Sequence, residues 1–462
     1  MNFVFTALAQ NQVEFFIGVG QKLKAAGHGV FLISFHERSF PLVQKSGLTG
    51  FNVFQAVREL RPKAFSEICT EYGVSNPMDL VIHEMFGFEV SDIQGLENKF
   101  SSYVGALESI FDKISQAVKS SPSGSETVVI QETGGFTSLL STFLVSKKRG
   151  FSHYFVEPSF FRGTVFFTKN SVFAPKVSGL SPNPVSEAVN LYLDQTLKSR
   201  AIVIPAKDSW QYAGVFGKLL KIRNAVRLFQ KLADKYLFDL REEFSYIGAY
   251  FMRHARMIVN RIAFAASYTG IPKEPFIYYP LHVPMDVALT VRSPDYLDQY
   301  ATLDFLLRHL PSGYVLAIKE HPALVGAIDR ARMKDLLKRY KRLRFLNPSN
   351  NNFDVLGRAE LVVTVNSKAG AEAVLMGKPV IVLGDAFYRD SPCVTFAPSL
   401  KELSALLQKR VWKVSPENDR RKYFQAVWEN SRPGELYLNN DSNFGSFADS
   451  ILDAVGVTHA KK

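Results

Sequence analysis

The sequence predicts an α/β chain of two parallel-sheet halves facing each other across a central crevice, with a helical insertion between them. Three observations predict it. Short apolar runs rich in Val, Ile and Phe alternate with helical spacings in the first and last thirds of the chain, the rhythm of βαβ units. Residues 207–262 break that rhythm: they hold eleven Lys/Arg against five Asp/Glu, with apolar residues at helical intervals and no strand pattern. The length of 462 residues also exceeds what one hydrophobic core usually spans.

The first strand begins at Phe3, and a helix follows over 12–26 on the spacing Val13, Phe16, Ile17, Val19, Leu23. Gly27-His28-Gly29 stops that helix before a second strand, 30–34. Residues 41–119 read as mostly helical, and 120–125 as a polar turn. A strand over 127–131 runs into Glu132-Thr133-Gly134-Gly135, a helix covers 136–148, and a strand over 153–157 ends in Glu157. After the basic insertion the rhythm resumes with a strand over 276–280, a helix over 294–310 and a strand over 315–319. A basic helix (329–342), a strand over 361–365, a helix over 370–377 and a strand over 380–383 complete the second half. The expected division is an N-terminal domain over 1–200, a basic helical insertion or connector over 201–270, a second domain over 271–410, and a helical tail over 411–462 packing back on the first.

Lys and Arg outnumber Asp and Glu by 55 to 43, a net charge of +12, which points to anionic partners. Two distant cysteines, Cys69 and Cys393, make neither a disulfide framework nor a zinc site, so a reducing cytoplasm is expected. The N-terminal stretch reads as neither signal peptide nor membrane span. No metal-ligand spacing appears, and no nucleic-acid motif accompanies the basic charge, so neither a metal nor nucleic acid is expected.

Two strand ends of the second half carry chemistry. The run Val365-Asn366-Ser367-Lys368-Ala369-Gly370-Ala371-Glu372 places Asn366 and Ser367 at the mouth of a helix, where free N–H groups and the helix dipole attract anions. Gly370 would allow close backbone approach, and Glu372 would need a hydrogen-bond partner, a ribose hydroxyl or a structural group. Plain helix capping by Asn366 and Ser367 competes with this reading. Lys319-Glu320-His321-Pro322 ends another strand, where Pro322 fixes the turn and His321 points at the crevice or serves the turn alone.

The pairing of Lys319-Glu320-His321-Pro322 with the stretch from Asn366 to the Gly384-Asp385-Ala386-Phe387-Tyr388 segment resembles the capsule polysaccharide biosynthesis family, which includes bacterial transferases of the acidic sugar Kdo. The resemblance spans roughly 125–175 and 275–390 and implies a GT-B architecture of two Rossmann-like domains. It implies a metal-independent glycosyltransferase that needs no cofactor beyond its nucleotide-sugar substrate, CMP-linked by preference and UDP-linked as the alternative. His321 and Ser367 would then contact the phosphate, with Asn366 and Lys368 beside it.

Sugar transfer also needs a carboxylate facing the anomeric carbon, as base on the acceptor hydroxyl or as nucleophile. Glu132, before Gly134-Gly135, and Glu157 are the candidates, each with a cap or an ion pair as its plainer role. Arg162 and His153 are candidates for the sugar carboxylate, and His282, with Asp286 nearby, for the same cleft. Asp286 and Arg292 read alternatively as a surface pair. The acceptor would be a glycan or lipid-linked glycan, and the basic helices at 218–261 and 329–344 fit an anionic inner-membrane surface or a solvated face. A UDP-sugar epimerase and a non-catalytic polysaccharide-assembly protein are the rival readings.

Overall fold

A computed structural model describes residues 1–119, 126–201, 222–410 and 412–457. The turn expected at 120–125 and the start of the basic insertion, 202–221, lie outside the described residues.

The first half is built on a seven-stranded sheet. Its strands are β1 (Asn2–Ala7), β2 (Gly29–Ser34), β3 (Thr49–Asn52), β4 (Thr127–Glu132), β5 (Ser152–Pro158), β6 (Thr164–Lys169) and β13 (Arg432–Pro433), in the order β13-β6-β5-β4-β1-β2-β3. β1 to β5 pair in parallel, with Phe3 opposite both Val30 and Val128, while β6 and β13 run antiparallel at one edge. Every residue of β1 is buried, as a central parallel strand covered on both faces requires. One face is covered by helices Gln10–Ala25 and Asp441–Ala454, the other by Ile93–Lys119 and Thr137–Lys148.

The second half holds a wholly parallel six-stranded sheet. It comprises β7 (Phe276–Pro280), β8 (Val315–Lys319), β9 (Leu343–Phe345), β10 (Leu361–Thr364), β11 (Val380–Val382) and β12 (Thr395–Phe396), ordered β12-β11-β10-β7-β8-β9. Helices Gln299–His309, Arg330–Arg339 and Leu400–Lys409 bury one face, and Lys368–Leu375 lies on the other. The chain is therefore an α/β protein of two parallel-sheet domains.

Two segments sit elsewhere than the sequence division suggests. Helix Glu187–Ser199, counted with residues 1–200, packs Val189 and Leu193 into the core of the second half. There Arg421, on helix Glu417–Glu429, reaches Asn190 and Asp194. The tail after 411 is divided as well. Helix Glu417–Glu429 buries Tyr423, Phe424 and Val427 in the second half, whereas β13 and helix Asp441–Ala454 complete the first.

The described part of the insertion forms helices Ile222–Tyr236 and Ile247–Phe264. The second buries Met257 and Phe264 beside polar residues and leaves other apolar residues outside. Its polar residues Arg253, His254 and Asn260 are buried, while Phe251, Met252, Val259 and Ile262 are 64%, 58%, 51% and 74% exposed. The buried side bridges the halves. Arg253 donates to the Gly87 carbonyl, Asn260 to the carbonyls of Gly326 and Ile328 at 2.9 and 2.8 Å, and Arg261 to that of Val325 at 2.9 Å.

Candidate functional site in the interdomain crevice

The carboxyl ends of both sheets open on one crevice of about 630 Å³ lined by both halves. This is where ligands of open parallel sheets bind.

The second half supplies a polar wall. β8 delivers Lys319, and Pro322 starts a short turn of helix capped by His321, whose Nδ1 accepts from the Ala323 N–H at 3.3 Å. That bond places the neutral ring's proton on Nε2. Burial pushes His321 below the usual imidazole value, opposed by Asp286. Lys319 is buried, donates to the Asn350 carbonyl at 2.9 Å, and has its ammonium pushed down to about 8 by burial, against the pull of Glu372. Ser367 caps helix Lys368–Leu375 by accepting from the Ala369 N–H at 3.2 Å, and it lines the crevice together with Lys368. The Lys368 ammonium stands 5.5 Å from the centre of the Phe160 ring. Glu372 is buried, and its carboxyl is pushed up by burial despite Lys368, Asn352 and Lys319. Its partner is structural: Asn352 donates to it at 2.8 Å and accepts from the Tyr278 hydroxyl at 3.0 Å.

The first half supplies Glu132 at the end of β4. Its Oε2 accepts from Gln12 Nε2 at 3.2 Å and from the Tyr437 hydroxyl at 2.6 Å. Beside it the wall turns apolar with Leu8, Phe88, Phe136, Leu139 and Phe244. His83 crosses the divide, with Nδ1 2.8 Å from Thr290 Oγ1, and its burial holds it neutral.

Lys319, Glu320, His321, Pro322, Ser367, Lys368, Glu372, Glu132 and Asp286 thus share one cavity, while the other sequence candidates stand elsewhere. Glu320 lines it with a carboxylate already engaged by Tyr268 at 2.7 Å and the Gly326 N–H at 2.6 Å. Glu157 is clamped by both guanidinium nitrogens of Arg292, at 2.9 and 2.7 Å, in an ion pair that ties β5 to the second half. Arg292, whose alternative reading is a surface pair with Asp286, has its side chain buried in the pair with Glu157, whereas Asp286 lines the crevice and caps a helix turn by accepting from the Ala288 N–H at 3.0 Å. His153 lies inside the first sheet's packing against Ser146, at 2.7 Å, because its place on β5 faces the helix layer. His282 is buried under the next loop, where Nε2 accepts from the Asn366 N–H at 3.2 Å. Asn366 turns its amide away to the Ala288 carbonyl and to Ser293 at 3.2 Å. Gly370 serves packing rather than a ligand: a Cβ there would lie 2.3 Å from the Tyr388 hydroxyl. Arg162 is exposed, near Lys368 at a neighbouring small cleft.

Gln12, Asn352, Tyr278 and Tyr437 escaped sequence reasoning. None belongs to a motif, and each reaches the site only through tertiary contacts. Among the described residues no group of three His, Cys, Asp or Glu side chains stands ready for a metal ion.

Residues 190–416 match the family described as capsule polysaccharide biosynthesis protein. The protein FixF of Sinorhizobium fredii (strain NBRC 101917 / NGR234) is 32% identical over 155 residues, which cover 33% of this chain and 37% of that relative's length. Among solved structures, the beta Kdo 2,7 transferase KpsC of Thermosulfurimonas dismutans shares 16% identity over 76% of this chain and 89% of its own, with a TM-score of 0.37. The UDP-GlcNAc 2-epimerase of Methanocaldococcus jannaschii shares 13% identity over 93% and 100%, with a TM-score of 0.25. Both crevice motifs of the second half, 319–322 and 366–372, fall inside the matched stretch, which spans just under half of the chain, and over that stretch the chain is similar to the capsule polysaccharide biosynthesis family.

Proposed function

We propose that the chain is a metal-independent glycosyltransferase of surface polysaccharide assembly, moving a sugar from a nucleotide donor, CMP-linked sugar acid by preference, to a glycan or glycolipid acceptor. One observation carries the reading: a single crevice gathers the cations and donors Lys319, His321, Ser367 and Lys368 from one half and the carboxylate Glu132 from the other. The acceptor oxygen bonds the anomeric carbon as the bond to the CMP phosphate oxygen breaks. Lys319, Lys368 and the Nε2–H of His321 face the charge that develops on the departing phosphate. Glu132 faces the sugar and takes the acceptor proton, or attacks the anomeric carbon itself if configuration is retained. Glu372 and Asn352 flank the nucleoside.

His321→Ala and Ser367→Ala are expected to abolish turnover with the fold intact, read by thermal shift and by calorimetry with CMP and UDP. Near-normal transfer by both variants would sink this site. Selective UDP binding would keep the site and change the donor, and binding of neither nucleotide would favour an assembly scaffold.

The acceptor is presented, on this reading, at an anionic membrane surface. The support is helix Ile247–Phe264, whose apolar side faces solvent in a segment rich in Lys and Arg. Among the described residues no helix is long and apolar enough to cross a membrane.

A further inference from the structure

The crevice carboxylate Glu132 is held by a residue that lies 305 positions later in the chain. Tyr437 follows β13 in the tail that returns to the first half, and its hydroxyl donates to Glu132 Oε2 at 2.6 Å. A second donor meets the same oxygen. Gln12 Nε2 lies 3.2 Å away, and Gln12 is itself oriented because its Oε1 accepts from the Leu8 N–H at 2.6 Å. Two donors on one carboxylate oxygen fix the rotamer.

The backbone shows that this placement is imposed. Tyr437 sits at φ 64°, a left-handed conformation that a bulky aromatic side chain rarely adopts. Such a conformation persists only where the surroundings over-determine it. Here they do: the ring meets Phe15 edge-on at 5.5 Å and Phe16 at 6.3 Å, and the preceding Leu436 is buried. Packing against two phenylalanines would be served equally by Phe at this position. The hydroxyl is what reaches Glu132.

We propose that Tyr437 is a positioning residue for the transfer reaction: with Gln12 it holds the Glu132 carboxylate toward the crevice, so the returning tail completes the active site from outside its first wall. The proposal rests on the reading of Glu132 given above. Tyr437 acts through Glu132 and touches no substrate.

The test compares the full chain with Tyr437→Phe, Gln12→Leu and Glu132→Gln. CMP release from CMP-Kdo is followed with a crude lipid-linked glycan extract as acceptor, beside CMP calorimetry and thermal melting. Tyr437→Phe keeps the ring and is expected to lower kcat about 10- to 100-fold, the effect of a misplaced catalytic group, with KM for the donor, the CMP affinity and Tm unchanged. Gln12→Leu is expected to lower kcat in the same way. Wild-type kcat in Tyr437→Phe, or a loss that appears only with a fall in Tm or a rise in KM, would overturn the proposal while leaving Glu132 in place. Full activity of Glu132→Gln, or no CMP release by the unaltered chain, would overturn the reading of Glu132 and the proposal with it.

Discussion

Lys319 and Glu372 face the same crevice from neighbouring parts of the second half, both buried, one cationic and one acidic. Burial dominates both: it lowers the ammonium to about 8 and raises the carboxyl, and their mutual attraction offsets only part of that. If Lys319 grips the donor phosphate, its charge is present below about pH 8 and lost above it. Nucleotide affinity is therefore expected to hold steady from pH 6 to 7.5 and to weaken through pH 8–9 with a break near 8. In Lys319→Met that break should vanish, with weaker binding at every pH. Calorimetry with CMP across this range reads both. The motif residues were legible singly in the sequence, but their division of labour was not. Asn366 and Ser367 are adjacent, yet one amide turns into the 288–293 loop while the other side chain lines the cavity. Strand pleat and loop path decide that, and neither is written in residue type.

At the scale of elements, the strands that could be read were unbroken apolar runs such as 3–7, 127–131 and 361–365, each buried on both faces. Those that could not be read are polar or very short. β3 is Thr-Gly-Phe-Asn and β13 only Arg-Pro, and each becomes a strand because a neighbouring edge receives it. Helix Ile247–Phe264 turns Arg253 and Asn260 inward beside Met257 and Phe264, because its inward face must satisfy the carbonyls of both halves. The outward apolar side then predicts a docking behaviour. Phe251→Glu with Ile262→Glu is expected to abolish flotation with phosphatidylglycerol vesicles and leave Tm unchanged, while phosphatidylcholine vesicles capture neither form. Flotation that survives the double substitution would remove this helix from membrane contact.

Across the two halves, the imidazoles of His83 and His282, each held down to about 4, and of His153, to about 3, are stored uncharged in the interior, all mainly by burial. Unfolding frees each to titrate near 6.5, so between that value and about 4 the unfolded chain binds more protons than the folded one. Stability is expected to fall as pH drops through this window, by up to about 1.4 kcal/mol per pH unit for each histidine, and urea midpoints at pH 7, 6 and 5 would show it. Because His83 meets Thr290 across the halves while His282 supports Asn366 within the second, acid should loosen the seam as well as the separate cores.

The seven-stranded sheet draws its rim strand from 432–433, and the core on one of its faces takes Phe447, Ile451 and Leu452. A nascent chain leaving the ribosome has made β1 to β6 and helix Gln10–Ala25 long before those residues exist, so the first half waits, with one apolar face only partly covered, while the whole second half is synthesised. Completion of the first half thus waits on the second: its packing closes only when helix Asp441–Ala454 arrives.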